Sequence, residues 1–313
     1  MKINKIKNEY ITATNYWSYS NLSDTGSTLR KSLKRLLNEK ILSLLGLKLV
    51  GLKSDIHPEQ KSFIVSKEII LARNKKIASY LLDYFSKYSL DLNNLNIEQD
   101  IVLYDSFFRD SKISSLNGGM GYNNGLVTFL ICKYIQPKNI IESGVWRGFT
   151  TYLLEKASPE NAQITCYDIN LKNIEYSSIN AEYYEMDISE NTDCNHNDCD
   201  LAFFDDHVSH YDRLHFCNNN NIKFVILDDD VTIFSPHSDG WPPLPSSDMV
   251  YNYNNIPKNF KWVINNIDAS ANIDNLDITP IINNYKRVPY PDLSGLTGYK
   301  DTSATTLLIK NAI

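Results

Sequence analysis

Apolar runs in the second half of the chain close on acid again and again. Ile140-Ile141 leads into Glu142, the run ending at Tyr167 into Asp168, the run ending at Met186 into Asp187, Phe203-Phe204 into Asp205-Asp206, and Val225-Ile226-Leu227 into Asp228-Asp229-Asp230. Carboxylates gathered at that density repel unless they are protonated or share a cation. Hard oxygen donors with little sulfur or imidazole suit Mg²⁺, Ca²⁺ or Mn²⁺, so the sequence predicts a divalent metal. Two histidines, His207 and His210, follow the fourth acid pair. An imidazole that titrates near neutral pH can take the proton of a hydroxyl whose pKa a metal has lowered.

Those acids need a scaffold that brings strand ends together. Short buried strands are predicted at 139–143, 163–168, 182–186, 200–205 and 223–228, separated by segments long enough for crossover helices. The pattern predicts an α/β fold with a parallel, doubly wound, Rossmann-like sheet. Further strands are expected at 261–265 and 304–309. Ligands of such sheets bind outside the carboxyl ends of the strands, where the acids stand.

The first of these junctions is also a glycine turn, Glu142-Ser143-Gly144-Val145-Trp146-Arg147-Gly148-Phe149-Thr150, opening into a helical pattern. Glycines there let a ligand approach the backbone and the helix N-terminus. A dinucleotide fold wants three glycines and a pyrophosphate; here the third is missing and an acid precedes the turn. S-adenosylmethionine carries no phosphate and has a cationic amine and sulfonium, which that acid favours.

The turn resembles the first motif of class I S-adenosylmethionine-dependent methyltransferases, and its Gly-Val-Trp-Arg-Gly core is similar to that of macrocin O-methyltransferase-like enzymes. The resemblance covers residues from about 120 to 310. It implies that Glu142, Gly144, Trp146, Gly148 and Thr150 border the cofactor, with Glu142 near its amine. Asp168 would bond the ribose hydroxyls, and Asp187 would lie near the adenine amine. The same resemblance makes Asp206, Asp229 and Asp230 the Mg²⁺ ligands, with the tandem and triple acids leaving the register uncertain by one. The family's basic residue just past the first ligand is not a lysine here, which leaves the base to His210, or to His207. The implied activity is O-methylation of a sugar, glycan or glycosylated metabolite. The rivals are a metal-dependent hydroxylase or oxidoreductase on the same fold, and a non-catalytic S-adenosylmethionine-binding assembly subunit.

Ahead of the sheet, residues 1–110 read as a mainly helical region and 111–313 as the Rossmann-like domain. Leu29, Leu33, Leu36, Leu37, Ile41, Leu44 and Leu45 recur at helical spacing among Arg30, Lys31, Lys34, Arg35 and Lys40. That basic amphipathic helix is either a core helix with a solvated face or a dock for an anionic membrane surface. A second helix is expected over 67–88, a glycine-rich linker or flap over 114–124, and a helix over 124–134. The loop over 233–248 carries Trp241 and several prolines and is expected to wall the acceptor site.

Five scattered cysteines and no secretory h-region predict a cytoplasmic protein, at most touching the inner membrane face, with a homo-oligomer left open. Cys194-Asn195-His196-Asn197-Asp198-Cys199 has no second ligand pair beside it and reads as a surface loop rather than a zinc site. A net charge of −6 argues against nucleic-acid binding.

Overall fold

The computed structural model describes residues 67–110, 120–191, 196–234, 242–264, 267–299 and 303–311. The expected basic helix, most of the glycine-rich segment and Trp241 lie outside the described residues. In chain order the elements are α1 (Lys67–Ser86), α2 (Ile97–Asp110), α3 (Tyr122–Ile135), β1 (Asn139–Ser143), α4 (Phe149–Ala157), β2 (Gln163–Tyr167), β3 (Ala181–Tyr184), β4 (Leu201–Phe204), α5 (His210–Asn219), β5 (Phe224–Leu227), α6 (Ser247–Tyr251), β6 (Asn259–Ile264), β7 (Ile267–Asn272), α7 (Thr279–Asn284), β8 (Tyr285–Pro289), α8 (Ser294–Thr297) and β9 (Thr306–Lys310).

The main sheet has seven strands in the order β3-β2-β1-β4-β5-β9-β8. From β3 to β5 every pairing is parallel, and β9 runs antiparallel to both of its neighbours. The order reverses at β1, between β2 and β4, and opens a crevice at the carboxyl ends there. With the sheet strands renumbered alone, the order is 3-2-1-4-5-7-6 with the seventh strand reversed, as in the class I methyltransferase sheet.

The doubly wound α/β expectation holds, with local corrections. The sheet is mixed, because β9 returns antiparallel between β5 and β8. The strand expected near 261–265 is there, but it pairs with β7 as a separate two-stranded ribbon. Strand β8 was not expected: only Tyr285 and Val288 of Tyr-Lys-Arg-Val-Pro are buried, so its apolar signal is faint. Among the described residues, the β2–β3 and β3–β4 connections hold single 3₁₀ turns, Leu171–Asn173 and Ile188–Glu190, instead of helices. The side chains of Asn170 and Asp187 cap those turns by accepting from Lys172 N–H and Ser189 N–H, a local bond that competes with helix continuation.

The described helices ahead of the sheet share its core. Ile77, Leu81 and Phe85 recur every four residues along α1 and are fully buried. Each such side chain contributes roughly 1.5–3 kcal/mol of burial. They belong to one apolar cluster with Leu126 and Leu130 of α3, Ile140 of β1, Leu153 of α4 and Ile164 of β2. Nearly all of α3 is buried, which accounts for its all-round apolar sequence. A polar pin joins the three helices, with Arg73 and the Tyr122 hydroxyl both donating to buried Asp105. The other sheet face packs Ile141, Tyr167, Phe204 and Leu227 against Leu214 and Cys217 of α5. Among the described residues, no helix is long and apolar enough to cross a membrane.

Candidate active site

A cleft of about 360 Å³ lies at the strand-order reversal. Its walls are Ser143, Gly144, Trp146, Asp168, Ile169, Met186, Asp187, Asp205, Asp206, His207 and Val208, so the ends of β1 to β4 all contribute.

The β1–α4 turn is held to its neighbours by backbone proximity. Gly144 has φ +93°, and a Cβ there would stand 2.2 Å from the carbonyl oxygen of Asp205. Gly148 has φ +88° and would meet the Tyr176 carbonyl at 2.3 Å. Neither position admits a side chain without moving main chain. Asp168 locks the turn from β2: its Oδ2 accepts from Val145 N–H at 2.9 Å and Trp146 N–H at 2.8 Å. Its Oδ1 accepts from Asn170 N–H at 2.8 Å. The amides that would cradle a phosphate in a dinucleotide fold are therefore already bound to a carboxylate. Trp146 adopts φ +44°, is 40% exposed and carries the Arg147 guanidinium over its ring.

Glu142 takes a different place from the one expected. Strand alternation turns it to the α4 face of the sheet, where Thr151 Oγ1 donates to its Oε2 at 2.6 Å and Cys166 Sγ lies at 3.4 Å. It is fully buried and does not line the cleft. Burial pushes its carboxyl up to about 7, against the hydrogen bonds of Thr151 and Cys166. Thr150 is likewise buried, in the first turn of α4. Gly144, Trp146, Asp168 and Asp187 line the cleft; Glu142 and Thr150 stand behind it.

Asp187 and Asp206 are bridged by Arg213, to which the motifs assign no role. Its guanidinium donates to Asp187 Oδ2 at 2.6 Å and Oδ1 at 3.2 Å, and from Nε to Asp206 Oδ2 at 2.8 Å. Burial raises Asp187, but the bonds from Arg213 and Ser189 outweigh it and hold the carboxyl down near 2. Asp206 also accepts from Ser143 Oγ at 2.6 Å and Val208 N–H at 3.1 Å. A signal was present: Arg213, Leu214 and Cys217 form the buried stripe of α5, and an arginine in such a stripe requires acids nearby.

The triple acid after β5 divides in the same manner. Asp228 accepts from the hydroxyls of Ser303 at 2.8 Å and Thr305 at 2.5 Å. Asp230 is buried and bonded by Arg287, Ser247, Thr306 and the Asp248 amide. Burial alone would raise Asp230; His210 and Arg287 beside it hold it well below the usual carboxylate range. Between them Asp229, at φ +54°, meets His207, at φ +55°, with Oδ2 3.5 Å from Nδ1. Left-handed backbone at non-glycine residues costs about 1–3 kcal/mol each and gathers at functional sites.

Donor atoms of Asp205, His207 and Asp229 all lie within 4.8 Å of one another. The structure thus groups a different trio from the expected Asp206, Asp229 and Asp230, with Asp206 and Asp230 each paired to an internal arginine. His210, expected ahead of His207 as the base, is 2% exposed in the first turn of α5. Its Nδ1 accepts from Ser247 N–H at 3.3 Å and lies 3.6 Å from Asp230 Oδ1, away from the cleft lining.

No protein-family model matches the sequence, and no curated protein matches it significantly. Solved structures do. A proposed O-methyltransferase from Klebsiella pneumoniae is 14% identical, over 67% of this chain and 90% of that one, with a TM-score of 0.42. The O-methyltransferase TomG from Streptomyces achromogenes, involved in tomaymycin synthesis and bound to S-adenosylmethionine, is 11% identical over 77% of this chain and 99% of its own, at 0.39. A Bacillus cereus O-methyltransferase in complex with S-adenosylhomocysteine is 12% identical over 77% and 100%, also at 0.39. Likenesses this distant carry no functional argument, and the fold rests on the strand order itself.

Proposed function

We propose that the chain is an S-adenosylmethionine-dependent O-methyltransferase that uses a divalent cation. One observation carries the reading: Asp168 occupies the amides of the glycine turn, in a cleft walled by Asp168, Asp187, Asp205 and Asp206. That arrangement repels a pyrophosphate and favours a cationic ligand. The methyl donor is the substrate that suits it. Asp168 Oδ1 keeps a lone pair for a ribose hydroxyl, Ile169 and Met186 offer apolar surface to the adenine, and Gly144 leaves room beside the turn.

Asp205, His207 and Asp229 fit a cation, being two carboxylates and an imidazole within coordinating reach of one centre. Those three residues would hold a divalent cation, whose chemistry when bound would be to lower the pKa of an acceptor hydroxyl. An imidazole among the donors favours Mn²⁺ over the Mg²⁺ expected from the acids alone. With His207 in that set and His210 buried, the acceptor proton passes to water at the cleft mouth. The acceptor oxygen then bonds the methyl carbon as the carbon–sulfur bond breaks, its electron pair staying on sulfur. Assignment of the acceptor as a sugar or glycan hydroxyl rests on the motif resemblance alone.

Calorimetric titration with S-adenosylmethionine, followed by mass analysis of glycan acceptors with Mn²⁺, tests the reading. The expected product is heavier by one CH₂ unit, with activity lost in excess EDTA. Gain of one oxygen would replace methyl transfer with hydroxylation, and donor binding without turnover on any hydroxyl acceptor would leave a binding subunit.

A further inference from the structure

We propose that Arg213 is a positioning residue for this cleft, an inference that rests on the methyl-donor reading above. Its guanidinium is 3% exposed and ties together three strand ends. It holds Asp187 after β3 with two nitrogens, and Asp206 after β4 with Nε. Asp206 in turn accepts from Ser143 Oγ at the end of β1 and from Val208 N–H. The second of those bonds spans His207, so one arginine fixes both the donor wall at Asp187 and the turn that presents Asp205 and His207. The arginine is itself fixed: it comes from α5, whose Leu214 and Cys217 are fully buried, and its guanidinium lies over the Phe204 ring at 5.7 Å.

Stability does not require this construction. A buried ion triad gains little over well-packed apolar residues of similar volume, because the charges must be stripped of water. What apolar packing cannot do is set the direction of two carboxylates at once. The planar fork of arginine can, and the single ammonium of lysine cannot.

The test compares wild type with R213K and R213M, measuring melting temperature and, separately, calorimetric affinity for S-adenosylhomocysteine and for Mn²⁺. The expected result is that folded R213K loses at least about tenfold in both affinities, since its ammonium cannot span the two carboxylates. Lowered melting with both affinities within about threefold of wild type would overturn the proposal, because a purely structural role moves only the folded fraction. Should neither variant fold, the wild-type protein decides: the Arg213 Nε–H resonance in an arginine-labelled sample should shift on adding S-adenosylhomocysteine. A resonance that the ligand leaves in place overturns the positioning role. Failure of wild type to bind S-adenosylhomocysteine at all would instead remove the methyl-donor reading.

Discussion

At the end of β4, Asp205 faces the cleft while Asp206 faces Arg213; at the end of β5, Asp229 turns toward His207 while Asp228 and Asp230 face Thr305 and Arg287. The two acid runs solve the same problem. Neighbouring carboxylates cannot all be left to repel, so those turned toward packed elements receive fixed donors. One from each strand converges with His207. The runs differ in what their arginines hold: Arg213 sits under the cleft and links three strand ends, whereas Arg287 ties Asp230 to β8, on which it stands, and to Ser247 of α6. Loss at the first centre should appear in binding, and loss at the second in stability.

The largest effect is expected where the two halves of the cleft touch. Gly144→Ala puts a Cβ 2.2 Å from the Asp205 carbonyl in a left-handed backbone, so S-adenosylhomocysteine affinity should fall by about 100-fold or more. Calorimetry checks this, and unchanged affinity would separate the turn from the ligand.

Asp229→Asn and Asp230→Asn set the comparison against itself. The first should abolish Mn²⁺ binding with little change in melting. The second should destabilise by about 3–5 kcal/mol, because it leaves the Arg287 charge poorly compensated in a buried site. Urea unfolding alongside Mn²⁺ titration reads both, and an exchange of the two phenotypes would restore the register in which Asp230 is the ligand.

The histidines repeat the contrast at smaller scale. His207→Gln should weaken Mn²⁺ by about 10- to 100-fold. His210→Gln should cost about 1–2 kcal/mol through the Ser247 contact while leaving Mn²⁺ affinity in place. Equal loss of Mn²⁺ from both would mean that His210 reaches the cation.

Glu142 should affect binding least and the pH dependence of folding most. Its folded carboxyl, near 7, is raised above its ordinary value of 4.5, so the folded state binds the extra proton between those limits. The stability it contributes is complete below about 4.5 and is lost as pH rises through 7. Glu142→Gln should flatten that decline in urea midpoints measured from pH 4.5 to 7. A decline of wild-type size in the variant would assign it to other groups.

Much of this was legible in the sequence, for a physical reason. Buried parallel strands are continuous apolar runs, and the runs ending at Ser143, Tyr167, Phe204 and Leu227 stood where the structure has them. Gly144, Trp146, Asp168 and Asp187 could be placed because strand ends share one edge of the sheet. Side-chain direction was harder. Alternation along β1 sends Glu142 toward α4, and backbone at positive φ turns Asp229 toward His207, which no composition of acids reveals. Hydrogen-bond partners distant in sequence were hidden too, so Arg287, on a strand with few buried residues, could not be matched to Asp230.

Anomalous diffraction from a crystal soaked with Mn²⁺ and S-adenosylhomocysteine tests the central claim most directly. The account predicts one Mn²⁺ peak among Asp205, His207 and Asp229, with the ligand's ribose at Asp168 and its sulfur beside Gly144. A peak held by Asp206 or Asp230, or density for the ligand anywhere but this cleft, would contradict it.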